Sequence, residues 1–168
     1  MNGSPMRSFE RSDPFHFQAP HLEIDIELAA RQTMPVLITA RPACAAKIVQ
    51  AIAARSHRNV IPVAPDAPPG THDAITALAD NRLTLWTARG AILWLKDVHR
   101  LTPGQQESVL HILRGGPAGY RIVGSTELDL YDLVTLQRFN ATLFYRLNAI
   151  HIVVPASADC DAIGGAPA

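Results

Sequence analysis

Five short, largely apolar runs, set between longer stretches whose apolar residues recur at helical spacing, constrain this chain more than any other feature. The runs are Val36–Thr39, Val60–Val63, Ala91–Lys96, Arg121–Ser125 and Ile150–Val154. Each is too short for a helix and rich in β-branched or large aliphatic residues, which suits a buried strand. Between them, Ala43–Arg55, His72–Asp80, Pro103–Arg114 and Asn140–Leu147 read as helices, the third entered through Thr102 with Pro103 at its first position. Strand and helix alternating in this way predict an α/β fold around a parallel sheet, because parallel neighbours need crossover connections. A short helix over Leu22–Gln32 precedes the alternation, and a weaker strand, Leu83–Thr87, is placed to form a small hairpin with the central one.

The 168 residues suffice for one domain with a real core. Residues 1–20 carry Pro5, Pro14 and Pro20 without periodicity and read as a flexible arm; 21–155 form the core; 156–168, small residues with Gly164 and Gly165, read as a disordered tail. A formal net charge of zero, with no Lys/Arg run, argues against direct DNA binding. No stretch of about 18 apolar residues argues for a membrane span, and Met1–Pro14 lacks the apolar segment of a secretion signal, so a cytoplasmic protein is expected. Cys44 and Cys160 lie in a helical region and in the tail, without metal-ligand spacing, so neither a disulfide nor a zinc site is expected. The seven histidines are scattered and read as surface or core residues, and Trp86 and Trp94 as core packing.

Three segments carry a resemblance. The most specific is Arg121-Ile122-Val123-Gly124-Ser125-Thr126-Glu127, followed by Asp129-Leu130, Leu133-Val134, Arg138-Phe139 and Leu143-Phe144-Tyr145-Arg146-Leu147-Asn148. The second is Gly90 to Leu101, and the third is Val36 to Ile52, with Pro42 inside it. In order and spacing they resemble the sensor strand, Walker B strand and Walker A strand of the AAA+ domain of sigma-54-dependent transcription activators, over roughly Thr33 to Pro155. The resemblance implies a P-loop NTPase-like, doubly wound sheet of about five mainly parallel strands, with its ligand site beyond the carboxyl ends of the strands. It also implies that the family's helical lid, and the long insertion that touches the sigma factor, are missing from this sequence, since only Ala64 to Arg82 stands in place of the latter.

Against that pattern the nucleotide residues are altered. A phosphate loop needs glycines, so that backbone N–H groups can curl around phosphate, and a lysine that reaches it. Here the run Ala40-Arg41-Pro42-Ala43-Cys44-Ala45-Ala46-Lys47 has no glycine, and Ala46 takes the lysine's place. Lys47 sits one residue late, about 100° around the helix. The Walker B acids correspond to Lys96 and Asp97, and an ammonium cannot coordinate magnesium. The sensor asparagine corresponds to Glu127. Of the two arginine-finger positions, Asn140 has lost the arginine and Arg146 keeps it. Lys47, Lys96, Asp97 and Glu127 therefore read as a vestigial nucleotide site. No catalytic residue, no metal and no cofactor are expected, with ATP or ADP binding kept as an alternative and magnesium excluded.

The resemblance with its altered residues implies a non-catalytic AAA+-like module that acts by protein contact in transcription regulation, its partner an intact sigma-54-type activator or another AAA+ protein. Two alternatives stand beside it: a nucleotide-binding protein with an atypical site, and a functionless remnant of an activator. Because the Walker B and sensor strands are neighbours in that fold, Lys96 is further expected within about 4 Å of Glu127 or Asp97.

Overall fold

The computed structural model describes residues 19–66, 75, 90–115 and 120–163. Five strands, β1 (Val36–Thr39), β2 (Val60–Val63), β3 (Ile92–Leu95), β4 (Arg121–Thr126) and β5 (Ile150–Val153), form one sheet in the order β2-β3-β4-β1-β5. Every pairing is parallel: Val36 lies opposite Val123 on one side and Ile150 on the other, and Trp94 lies between Pro62 and Val123. Pro62 can stand in β2 because that strand pairs only with β3 among the described residues, so no ladder bond is lost on its open side.

The helices bounded within the described residues are α1 (Ala19–Arg31), α2 (Pro42–Ser56), α3 (Pro103–Gly115), α4 (Leu130–Thr135) and α5 (Ala141–Leu147). The connection from β1 to β2 runs one way along the sheet and those from β3 to β4 and β4 to β5 run the other way. Right-handed crossovers therefore put their helices on opposite faces. One core holds Ile26, Ile48, Ile52 and Trp94 between α1, α2 and the sheet, and the other holds Leu93, Val109, Leu143 and Leu147 beneath α3 and α5. The sheet is thus buried on both sides, which is why its strands read as continuous apolar runs instead of alternating ones.

The expected strands agree with these to within one residue at either end, and α2, α3 and α5 differ from expectation by at most one residue per end. α1 opens at Ala19, earlier than expected. The expected strand Leu83–Thr87 lies outside the described residues, as does the helix His72–Asp80 except for Ile75, which is helical and 1% exposed. The six-residue α4 was not among the helices read from periodicity; Asp129 caps it by accepting a hydrogen bond from the Tyr131 N–H at 2.8 Å.

Two expectations about the ends need correction. Residues 156–163 are not a loose tail: the chain turns back after β5, forms a short 3-10 turn at Cys160–Ala162, and buries Ala158 and Ile163 in the α1/α2 core. Cys44 and Cys160 are also paired as a disulfide, with Cα atoms 5.0 Å apart. The fold-back brings together two residues that are 116 positions apart, so their spacing in sequence carried no sign of the pairing.

Candidate functional site

The residues singled out from sequence, Arg146 apart, gather at the carboxyl end of the sheet. Lys47 lies in the second turn of α2, directly after β1; Lys96 and Asp97 follow β3; Glu127 follows β4. Since β3, β4 and β1 are adjacent in the sheet, these positions border one crevice.

The chemistry of the crevice starts with the connection after β1. Only Ala40 and Arg41 separate β1 from α2, which begins at Pro42. Proline suits that first helical position because its missing N–H would have no partner there. Ala40 is 5% exposed and its N–H donates to the Thr126 carbonyl at 2.9 Å, tying the connection to β4. Arg41 and Lys47 both face the folded-back C-terminal segment. The Arg41 guanidinium donates to the Ala158 carbonyl at 2.6 Å and reaches the Cys160 sulfur at 3.3 Å, while Lys47 Nζ lies 2.6 Å from Asp161 Oδ1. That lysine's hydrogen bond and charge hold the exposed Asp161 carboxyl below the usual carboxylate range.

Lys96 does not make the ion pair expected of it. Among the described residues no ion pair joins it to Asp97 or Glu127; its ammonium lies 5.2 Å from the Trp94 ring centroid. The pleat explains this, because Trp94 and Lys96 are two positions apart and project to the same face, within cation–π reach. Trp94 is 7% exposed and is fixed in turn by donating Nε1–H to the Ser125 hydroxyl at 2.9 Å. Asp97 adopts a left-handed conformation, with φ of 49°, and opens a 3-10 turn at Val98–Arg100. Glu127 is exposed, because β4 ends at Thr126, whose hydroxyl accepts the Leu128 N–H at 3.0 Å and turns the chain outward.

Thr126 is 2% exposed and also shares a hydrogen bond with His99 Nδ1 at 3.1 Å, which locks the turn after β3 to the end of β4. Of the two positions expected from the resemblance to match arginine fingers, Asn140 is a helix cap: its Oδ1 accepts the Leu143 N–H at 3.0 Å, its own N–H donates to Gln106 Oε1 at 2.8 Å, and its amide donates to Glu107. Arg146 is exposed on α5, away from the crevice residues. Sequence reasoning missed Arg41, Cys160 and Asp161 as neighbours of Lys47. Their only signal was two acids, Asp159 and Asp161, flanking a cysteine in a stretch otherwise made of small residues.

A doubly wound parallel sheet whose candidate residues follow the carboxyl ends of β1, β3 and β4 defines a P-loop NTPase-like α/β domain. Solved structures agree: the chain aligns with NtrX from Brucella abortus, solved with ATP, at a TM-score of 0.67 and 25% identity over 82% of this chain and 36% of that one. The P-loop NTPase domain of a sigma-54 transport activator from E. coli aligns at a TM-score of 0.56 and 14% identity, over 79% of this chain and 99% of that domain. The chain belongs to the sigma-54 interaction domain family, whose model matches residues 18–156. Its relatives include the glycerol metabolism operon regulatory protein of Citrobacter freundii, 30% identical over 45% of this chain, and the Nif-specific regulatory protein of Rhodobacter capsulatus, 31% identical over 51% of it. The matched regions span only 13% and 16% of those two proteins.

Proposed function

We propose that this chain is a sigma-54 activator-type AAA+ module that does not hydrolyse ATP and acts by protein contact in cytoplasmic transcription regulation, docking onto an intact activator of its family or another AAA+ protein. The observation that carries the reading is the two-residue link between β1 and α2. A phosphate-cradling loop needs several residues of non-helical backbone whose N–H groups turn inward. Here α2 has absorbed that stretch, no glycine remains in it, and the Ala40 N–H is spent on Thr126.

The donor set after β3 and β4 points the same way. Magnesium takes carboxylate and phosphate oxygens in tight octahedral geometry. Lys96 brings a cation to one of the positions where the family places an acid, and Glu127 turns to solvent. These residues do not fit a magnesium–triphosphate group, and no hydrolytic step is derived through it.

The test is turnover. Purified protein should release phosphate from ATP no faster than its Asp97→Ala variant, with or without magnesium. Magnesium-dependent turnover abolished by that substitution would overturn the reading. Calorimetry with ATP and ADP separates it from an atypical nucleotide site, and co-purification with a full-length activator, read by that activator's own ATPase rate, tests the docking.

A further inference from the structure

We propose that the C-terminal segment Pro155–Ile163 is a thiol-released latch on the N-terminal turns of α2. Four contacts hold it. The Cys44–Cys160 disulfide ties it covalently, Lys47 binds the Asp161 carboxylate at 2.6 Å, Arg41 binds the Ala158 carbonyl at 2.6 Å, and the Ala158 and Ile163 side chains are buried against the α1/α2 core. Only the first is strong by itself. The Lys47–Asp161 pair is exposed and screened by water, and a fold-back anchored by one alanine and one isoleucine buries little apolar area beside the core. The covalent bond therefore decides whether the segment stays down, and it is the one contact that a change of redox environment can break.

The pair is built to open from one side. Cys44 is fully buried, whereas Cys160 sits half-buried on the 3-10 turn. The thiolate of an external dithiol attacks the Cys160 sulfur, the Cys44–Cys160 bond breaks, and Cys44 leaves as a thiolate at the third position of α2, where helix N–H groups stabilise negative charge. Cys44 then takes a proton. The dithiol's second sulfur, deprotonated, attacks the mixed disulfide and releases Cys160, which is protonated in turn. The dithiol loses two electrons and two protons and becomes a disulfide, and the cysteine pair gains both as two thiols. Opening uncovers Arg41, Lys47 and the first turn of α2, the border of the crevice. The latch stands independently of whether the chain turns over ATP.

Hydrogen–deuterium exchange with mass spectrometry on the full chain tests it. Without reductant, neither cysteine should alkylate under native conditions, and residues 156–163 should exchange slowly. Adding dithiothreitol, or substituting Cys160→Ser, should speed exchange at 156–163 at least tenfold and raise it in the first turns of α2, while β1, β3 and β4 stay protected. Three results would each overturn the latch: free thiols in the untreated protein, exchange at 156–163 indifferent to reduction, or exchange rising through the whole sheet, which would make the disulfide a staple of the fold. The latch and the non-catalytic reading fail separately, since exchange reports the first and phosphate release the second.

Discussion

Buried Arg121 and exposed His151 carry charge effects that bear on stability. Arg121 is 2% exposed; its Nη2 donates to the Ala29 carbonyl at the end of α1, but Nε and Nη1 have no partner among the described residues. Burial, with the Arg58 guanidinium nearby, pushes it down to about 10. A cation depressed in the folded state opposes folding at neutral pH, and the penalty lifts only as pH rises through about 10 toward the unfolded value. Arg121→Met should therefore leave the protein as stable or raise it by about 1 kcal/mol or more, as buried charges replaced by similar apolar volume often do. A loss beyond about 1 kcal/mol in urea unfolding would show that the Ala29 bond outweighs the charge. His151, hydrogen-bonded to the Thr39 hydroxyl at 2.9 Å, lies below its usual value because of desolvation, with Asp129 pulling the other way. The unfolded chain then takes this proton first, so stability falls as pH drops from about 6.5 through the folded value. Between pH 7.5 and 5 the urea midpoint of the parent should fall further than that of His151→Gln; equal slopes would remove His151 as the cause. At this scale the sequence was partly readable. The positions of Lys47, Lys96, Asp97 and Glu127 followed from the strands that precede them, but their partners did not. Lys96 was drawn to an aromatic ring by the pleat, and Lys47 to an acid from a distant fold-back.

Among the elements, the strands were the most legible, because burial on both faces favours apolar residues and writes the sheet into the sequence as largely apolar runs. The shortest helices were least legible. α4 has six residues, too few for a helical period, and its one local sign is the cap Asp129. α5 depends on its cap in the same way: Asn140 accepts from Leu143, and through Gln106 and Glu107 it fastens α5 to α3. Asn140→Ala should cost about 1–2 kcal/mol in urea unfolding, the range for a lost cap. A cost near zero would mean that the packing of Phe144 and Leu147 holds α5 unaided. Asn140 thus serves as a structural cap, and an arginine placed there would lose it.

At the scale of the whole molecule, β1 pairs on one side with β4 and on the other with β5, both made much later in the chain. A fragment ending at Gly115 would retain β1, α2, β2 and β3 but give β1 no neighbour. It should lack cooperative unfolding and show poorly dispersed amide resonances; a fragment with a sharp denaturant transition would mean that α1 and α2 suffice to organise β1. The same arrangement bears on synthesis. At roughly 5–20 residues per second, a ribosome needs on the order of ten seconds to pass from β1 to β5. Throughout that interval Val36, Leu37 and Ile38, each 1% exposed or less once folded, sit at the centre of a sheet not yet made. Helices α1 and α2 can shelter one face, and the other stays bare beside unpaired backbone. The nascent chain is therefore most vulnerable to association with its own copies just before its last strand emerges, and its yield in the cell should depend on holding chaperones more than its finished stability would suggest.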